Sequence, residues 1–388
     1  MAVSLLCTFA TGCARPADSV FKMLVGTYTE GNDSKGVYLY DFDTENLEWK
    51  LLDTAAAGNP SFIIPSPDRH FAYAVSEYSD GRQGVYSFAL NEDRIDVLNF
   101  RGGTGADPCN IVAVGESVIT SDYSGGVVSV FSLTGDGGID TLACQFVPSQ
   151  MLASHIHCSV VSPDSSYLFI TDLGADNIYR VTLPPEGRGA PYDFCIAYSF
   201  DREMHPGPRH LTFSQDGRFA YLISELGDYV TAFEYYNGNL KHLSTEIAYE
   251  GNGRGSADIH VSPDNRYVYT SHRLKEDGIA IFRRNASSGL LTRSGYIQTG
   301  RHPRNFAITP DGRLLLCACR DDNRIEVYSI DCKTGALTYT GKSIEIPAPV
   351  CIQVYQPYGP SGKATKKRPV RYRPLFFNVF CRISGVGV

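Results

Sequence analysis

Short apolar segments recur along the chain, and most of them follow the same kind of polar turn. The turn reads Ser-Pro-Asp at Ser66, Ser162 and Ser262, Ser-Gln-Asp-Gly at Ser214, and Thr-Pro-Asp-Gly at Thr309. Proline fixes φ in such a turn, and Asp or Gly tolerates its tight backbone. The apolar segments that follow are rich in Tyr, Phe, Val and Ile, which is typical of β-strands. The pattern therefore predicts a series of β-hairpins in which the turn aspartates are structural.

These hairpins repeat at a nearly constant interval. Their turn positions are spaced 48, 48, 52, 48 and 47 residues apart, at Asp68, Glu116, Asp164, Asp216, Asp264 and Asp311. The unit around Glu116 has lost the turn signature but keeps its strand. Each unit continues with an alternating strand and a further hairpin. A strand-only repeat of this length indicates a β-propeller with one four-stranded blade per unit.

The two ends of the repeat supply one further blade. Residues 349–355 resemble the innermost strand of a unit that does not continue, whereas 22–27, 36–40 and 49–52 resemble the three outer strands of a unit that lacks its first. Joining them closes the ring and removes two open sheet edges. The predicted fold is all-β: a seven-bladed β-propeller over residues 22–356, with its last blade closed by N- and C-terminal strands.

The segments outside the predicted propeller differ in composition from it. Residues 1–21 contain a short apolar run that ends in small residues before Cys13, as a bacterial lipoprotein signal does. We therefore expect lipidation of Cys13, a lipid anchor to the membrane and a location in the cell envelope, with the cytoplasm as the alternative. Residues 357–388 contain seven Lys or Arg and no acidic residue, so we expect a basic, disordered tail.

Charge and cysteine spacing narrow the range of partners. The net charge is −7 even though the last residues are basic, so the body of the chain is acidic and nucleic acid is not an expected partner. Cys317 and Cys319 alternate along one strand, which places both thiols on one face, but this spacing does not match the usual zinc pairs. We assign no metal site and no cofactor. The sequence leaves metal binding and the oligomeric state open.

The repeat also predicts where polar side chains gather. The innermost strand runs along the channel and the second strand returns antiparallel, so the start of the first and the end of the second lie at the same mouth. The strand starts hold Asn110, His155, His157, Arg209, His210, Asp258, His260, Arg304 and Asn305, and the strand ends hold Glu77, Asp122, Asp172, Glu225, His272, Arg273, Arg320 and Asp321. Residues two apart on a strand share a face, so His155 and His157 face the channel together or not at all, as do Asp258 and His260.

This collection of residue types suits a small anionic substrate. Arginine forks bind carboxylate or phosphate, a nearby carboxylate or imidazole can activate water, and further arginines can stabilise an oxyanion. The residues expected to bind the substrate are His155, His210, Asp258, His260, Arg304 and Asn305. The alternative is that these groups satisfy one another in a wet channel, in a surface propeller that binds protein or glycan without catalysis.

Several strings along the chain are specific when taken together. They are Gly207-Pro-Arg-His210 with the strand leading to Glu225, residues 257–264 with 271–273, His155-Ile-His157, and residues 25–29. In these the chain resembles the lactonase-type seven-bladed propeller family, which includes bacterial 6-phosphogluconolactonases and a fungal carboxy-muconate lactonizing enzyme. The resemblance covers about residues 22–355. It implies His157, Arg209, Glu225 and Arg273 as the catalytic residues.

The resemblance also implies a reaction. We expect hydrolysis of a sugar lactone, with 6-phosphoglucono-1,5-lactone as the leading substrate. Glu225 or His157 would activate water, while Arg209 and Arg273 would hold the anionic group or the oxyanion. The alternative reaction is cycloisomerisation of a muconate-like diacid, in which the same two arginines would clamp two carboxylates.

Overall fold

The protein is a ring of seven antiparallel four-stranded sheets, seen in a computed structural model that describes residues 19–148, 154–183, 194–201, 203–251 and 253–356. The all-β, seven-bladed prediction is confirmed. In the described part of the chain the one helical element is a 3₁₀ turn at Arg320–Asp322, and no helix is long and apolar enough to span a membrane. The predicted leader up to residue 18, with Cys13, and the predicted tail at 357–388 lie outside the described residues.

The strands are numbered in chain order, and each blade is given from the channel outward. Blade 1 contains β4 (Ile63–Pro65), β5 (Phe71–Ser76), β6 (Gly84–Leu90) and β7 (Ile95–Gly102); blade 2 contains β8 (Pro108–Val114), β9 (Ser117–Asp122), β10 (Val127–Leu133) and β11 (Ile139–Phe146); blade 3 contains β12 (Ile156–Val161), β13 (Tyr167–Asp172), β14 (Asn177–Thr182) and β15 (Phe194–Ser199). Blade 4 contains β16 (Pro208–Phe213), β17 (Phe219–Ser224), β18 (Tyr229–Tyr236) and β19 (Asn239–Ile247); blade 5 contains β20 (Ser256–Val261), β21 (Tyr267–His272), β22 (Gly278–Arg284) and β23 (Leu291–Gln298). Blade 6 contains β24 (Pro303–Ile308), β25 (Leu314–Cys319), β26 (Arg324–Ile330) and β27 (Leu337–Glu345); blade 7 contains β28 (Pro349–Tyr355), β1 (Val20–Thr27), β2 (Gly36–Asp43) and β3 (Glu48–Ala56).

The seventh blade closes the ring as the sequence predicts. Strand β28 pairs antiparallel with β1, with Lys22 opposite Tyr355 and Gly26 opposite Cys351. Strand β1 begins at Val20, two residues before the predicted start of the propeller. Both faces of this sheet are covered, because Met23 belongs to an apolar cluster shared with blade 6 and Leu24 to one shared with blade 1.

The turn after each innermost strand has one recurring construction. In five blades the Ser or Thr hydroxyl donates to the first carboxylate oxygen of the turn aspartate at 2.5–2.6 Å, at Asp68, Asp164, Asp216, Asp264 and Asp311. The residue after each aspartate is left-handed, with φ between 57° and 71°. Glycine adopts this conformation without cost, which explains its use at Gly217 and Gly312. The turn aspartates are therefore structural, as predicted.

Apolar side chains fill the seven interfaces between neighbouring blades. Each interface holds one cluster of buried residues, such as Tyr221, Val230 and Phe282 between blades 4 and 5. Cys317 and Cys319 are part of the cluster between blades 5 and 6; their thiols lie on one face, 3.9 Å apart, and both are reduced. Every sheet is therefore buried on both faces, and each blade depends on its two neighbours.

We predict that removal of β28 abolishes cooperative folding. A chain that ends at Ala348 would expose the edge of β1 and lose Val350, Cys351 and Ile352, all of which are buried. Thermal unfolding followed by circular dichroism would measure the loss. The control is a chain that ends at Gln356, which keeps all seven described sheets and should melt like the full chain. Equal melting of the two truncated chains would contradict closure through β28.

Candidate active site

Seven residues form a ring at one mouth of the channel, and each directly follows the second strand of its blade. This mouth ring comprises Tyr28, Glu77, Tyr123, Leu173, Glu225, Arg273 and Arg320. The same backbone contact holds every member: its N–H donates to a carbonyl just before the innermost strand of the same blade, at distances of 2.7–3.2 Å. The fold thus repeats one backbone position at the mouth in all seven blades, and only the side chain at that position differs between blades.

The residues predicted at the strand ends belong to two positions: the mouth-ring position and the last residue of the strand, directly before it. Asp122, Asp172 and His272 are the last residues of their second strands, so their side chains lie on the opposite face of the sheet from those of the mouth ring. Asp122 accepts from the N–H of Gly105 at 2.7 Å, Asp172 accepts from the N–H of His155 at 2.9 Å, and His272 contacts a serine hydroxyl within its blade. These three residues thus lie one position before the mouth ring, and a shift of one residue along a strand reverses the face.

A second layer of side chains lies just inside the mouth and depends on β-bulges. The innermost strands of blades 2 to 7 each carry one extra residue near their start. In five of these strands the pairing register identifies the extra residue. The five residues are Cys109, His157, Arg209, Arg304 and Val350. A bulge redirects a side chain out of regular alternation. Four of these five residues line one cavity in the channel, together with Ser61, Phe62, His210 and Asn305.

The four residues that the resemblance implies as catalytic meet at one carboxylate. Arg209 Nε lies 2.7 Å from Oε2 of Glu225, and Arg273 Nη2 lies 3.1 Å from Oε1. His157 Nε2 is 3.9 Å from Oε2 of the same residue. These side chains come from blades 3, 4 and 5. The topology therefore brings them together, and their catalytic roles stay predictions.

The charges of this group follow from its surroundings. Burial raises the pKa of Glu225, but Arg209, Arg273 and Arg304 outweigh burial and hold that pKa below its ordinary value. Burial, and then the positive charge of Arg209, lowers the pKa of His157 well below the usual range. At neutral pH the group therefore holds an ionised carboxylate and an uncharged imidazole among arginines.

A second ion pair faces the channel from blades 1, 6 and 7. Tyr28 Oη donates to Oε1 of Glu77 at 2.9 Å, and Arg304 Nη2 lies 3.5 Å from Oε2 of Glu77. The guanidinium of Arg304 also lies over the ring of Tyr28, 5.5 Å from its centre. Glu77 and Arg304 were predicted from the sequence, whereas Tyr28 was not. Tyr28 could have been found by applying the strand-end rule to the blade that lacks the Ser-Pro-Asp turn.

Arg273 also contacts a histidine that the sequence analysis missed. Nε2 of His302 lies 3.3 Å from Nη1 of Arg273, and Nδ1 of His302 lies 3.7 Å from a carboxylate oxygen of Asp321. Burial, followed by the charge of Arg273, lowers the pKa of His302 to about 3. His302 has φ of +58°, and Asn59, Asp107 and Ala348 are left-handed at comparable points before their innermost strands. The signal was therefore a repeated backbone feature, which residue types alone do not reveal.

The six residues predicted to bind substrate are divided between the mouth and the channel wall. His155 is at the mouth, stacked on Tyr123 with ring centres 4.5 Å apart, and Arg304 contacts Glu77. The other four form a network around the buried Asp258, whose carboxylate accepts from His210 at 2.8 Å, from the partly exposed His260 at 2.9 Å and from Asn305 at 2.5 Å. The expectation that Asp258 and His260 share a face is confirmed. Whether any of the six touches substrate stays a prediction.

The chemistry available at the mouth is that of charged and hydrogen-bonding side chains. Within the described ranges, no group of three or more His, Cys, Asp and Glu is arranged to hold a metal ion. The mouth instead offers arginine donors from blades 4, 5 and 6, two carboxylates and uncharged imidazoles. This set can bind an anion, stabilise an oxyanion and accept a proton from water.

Comparison with known proteins places this geometry in a family. The sequence model of the family described as "Lactonase, 7-bladed beta-propeller" matches residues 22–354. A relative from Formosa agariphila named 6-phosphogluconolactonase is 32% identical over 352 residues, which cover 86% of this chain and 99% of the relative.

Solved structures give the same result. A protein of Bacteroides uniformis superposes with a TM-score of 0.83 at 44% identity, covering 87% of this chain and 100% of that one. The periplasmic gluconolactonase of Pseudomonas aeruginosa superposes with a TM-score of 0.79 at 28% identity, covering 87% of this chain and 99% of that one. The chain belongs to the family of seven-bladed β-propeller lactonases.

Proposed function

We propose that the protein hydrolyses a sugar δ-lactone at the mouth ring, with 6-phosphoglucono-1,5-lactone as the substrate. The observation that carries the proposal is the placement of Glu225 between Arg209 and Arg273, with His157 beside it, in a chain of the lactonase family. Relatives named 6-phosphogluconolactonase and gluconolactonase support a sugar lactone. Neither muconate cycloisomerisation nor a purely binding propeller is favoured by these relatives.

Lactone hydrolysis requires a proton acceptor for water. Water adds to the lactone carbonyl, the ring C–O bond breaks, and the ring oxygen leaves as a hydroxyl after it receives a proton. Both oxygens of Glu225 already accept from arginines, so this carboxylate is a weak base. The lowered pKa of His157 makes it a weak base as well, but its imidazole is uncharged and its Nε2 lies 3.9 Å from Glu225. We therefore assign the proton of water to His157, while Glu225 stabilises the imidazolium that forms.

The oxyanion and the phosphate each need a cation. Arg273 contacts Oε1 of Glu225, so its guanidinium is held beside the proposed reaction centre. There it can stabilise the negative charge that develops on the carbonyl oxygen of the lactone. Arg304 belongs to blade 6, and Oε2 of Glu77, with which it pairs, is 3.5 Å away and makes no hydrogen bond with a described residue. We assign the sugar phosphate to Arg304, because guanidinium binds phosphate through paired N–H groups.

We predict that substitution of Arg304 impairs hydrolysis of a phosphorylated lactone more than that of an unphosphorylated one. Arg304→Gln should lower kcat/KM for 6-phosphogluconolactone by roughly tenfold or more, because a charge-assisted contact is lost. The same change should affect glucono-1,5-lactone much less. The control is Arg293→Gln on outer strand β23, which removes an equal charge where Arg293 pairs with Glu250. Equal losses on both lactones would refute the phosphate assignment, and a wild-type protein without lactonase activity would refute the proposed function.

We predict that substitutions of His157 and Arg209 change different kinetic constants, because His157 accepts the proton of water and Arg209 holds Glu225. His157→Asn removes the proton acceptor and should lower kcat by roughly 10²-fold or more, whereas Arg209→Lys keeps charge but loses the fork and should raise KM more than it lowers kcat. Glu225→Gln measures how far the carboxylate contributes. Steady-state kinetics of the three variants would decide the roles. A greater loss of kcat in Glu225→Gln than in His157→Asn would transfer the base to Glu225, and near wild-type rates in all three would place the active site elsewhere.

We also propose that the protein acts in the cell envelope through lipidation of Cys13. The support is the apolar run that precedes Cys13 and the relative from Pseudomonas aeruginosa named a periplasmic gluconolactonase. We predict that the protein expressed from its natural gene fractionates with membranes and that Cys13→Ala moves it to the soluble fraction. Soluble wild-type protein that retains an unprocessed Met1 would exclude the anchor.

A further inference from the structure

A continuous chain of polar contacts leads from the mouth ring into the channel wall. Oε2 of Glu225 accepts from Nε of Arg209 at 2.7 Å, and Nη1 of Arg209 lies 3.2 Å from Nε2 of His210. Nδ1 of His210 lies 2.8 Å from Oδ1 of Asp258. Arg209, His210 and Asp258 expose 1%, 8% and 3% of their surface, so solvent contributes little to this chain.

The donors and acceptors along the chain can be assigned. Nη1 of Arg209 carries two hydrogens and has two neighbours, the carbonyl oxygen of Ala257 and Nε2 of His210. A guanidinium only donates, so Nε2 of His210 must accept, and the single proton of the neutral ring lies on Nδ1. From Nδ1 it donates to Asp258. The direction of every hydrogen bond from Asp258 to Glu225 is therefore fixed.

The chain of hydrogen bonds ends at Asp258, where both carboxylate oxygens accept hydrogen bonds. Besides His210, Asp258 accepts from His260 Nε2 at 2.9 Å, from Asn305 Nδ2 at 2.5 Å and from the N–H of Ile259 at 2.9 Å. Burial raises the pKa of Asp258, but His260 and His210 outweigh burial and hold it well below the usual range. Burial and then Arg209 lower the pKa of His210 to about 4, against the opposing effect of Asp258. Near neutral pH, Asp258 is thus an anion and His210 is uncharged.

We infer that His210 and Asp258 are positioning residues, which fix the guanidinium of Arg209 and through it Glu225, rather than residues that touch the substrate. Arg209 lies at a bulge, where the regular strand does not dictate the direction of its side chain. The contacts at Nε and Nη1 hold the plane of the guanidinium, and His210 provides one of them. The inference rests on the proposed lactonase function and explains how the same site is held.

Two substitutions of one residue test the inference. In His210→Gln the amide oxygen can occupy the place of Nε2 and still accept from Arg209, whereas in His210→Asn the amide reaches Asp258 but leaves Nη1 of Arg209 without that acceptor. We expect His210→Gln to keep most of kcat/KM and His210→Asn to lose roughly 10²-fold, because a small misplacement of a catalytic group is costly. Equal losses in the two variants would overturn the inference.

A matched carboxylate controls for stability. Asp228 is as buried as Asp258, with 2% exposed, and it accepts from the hydroxyl of Ser256 at 2.7 Å and from the N–H of Arg254 at 2.9 Å. Asp228→Asn and Asp258→Asn should both lower the melting temperature. Only Asp258→Asn should lower kcat/KM in the protein that remains folded. A similar kcat/KM in the two variants would overturn the role of Asp258.

The tautomer of His210 can be read without any assay of activity. Long-range ¹H–¹⁵N spectra of the wild type at pH 7 should show His210 protonated at Nδ1, with the signal assigned by its absence in His210→Gln. A His210 ring protonated at Nε2 would contradict the assigned hydrogen bonds even if the enzyme is active. If the wild type lacks lactonase activity, the proposed function fails and the positioning role fails with it, whatever the tautomer. An active wild type with the wrong tautomer removes only the positioning role.

Discussion

The pairing of β1 with β28 is the contact on which the arrangement of the mouth depends. The seven mouth-ring residues come from seven blades, so their separations are defined only when the ring is closed. Tyr28 on the closing blade reaches Glu77 on the first, and Arg304 reaches Glu77 from the sixth. No single hairpin could place Glu225 between an arginine of its own blade and one of the next. The apolar clusters between blades keep these separations constant, so the stability of the ring and the geometry of the site have the same origin.

Closure also forces like charges together, which shapes what the site can bind. Arg209 and Arg273 both contact Glu225, and the charge of Arg304, which pairs with Glu77, also lowers the pKa of Glu225. Such crowding inside a protein is costly unless each charge has a partner, and Glu225 and Glu77 provide only two. Burial and the charge of Arg209 lower the pKa of Arg273 to about 9, which reflects this cost. An anionic substrate would relieve this cost, which supports the proposal of a phosphorylated lactone.

Regular features were predictable from the sequence, and departures from regularity were not. The spacing of Asp164, Asp216 and Asp264 located the blades because the turn uses the same residue types each time. The strand-end rule found Glu77, Glu225 and Arg273. It also selected Asp122, which directly precedes the mouth-ring residue Tyr123 and lies on the opposite face of its sheet. Hydrophobic patterning cannot settle that difference of one residue, since these sheets are buried on both faces. His302 escaped notice because Asn, Asp and His are only enriched at positive φ, so residue type alone does not identify such a position.

The bulges explain how two neighbouring residues can serve one site. On a regular strand Arg209 and His210 would point to opposite faces of the sheet. The extra residue at Arg209 turns both toward the channel, and the same offset brings Arg304 and Asn305 to the wall of one cavity. Each of these arginines therefore stands beside a polar residue that contacts Asp258. One buried carboxylate in this way holds the strand neighbours of two arginines from different blades, and through His210 it also supports Arg209.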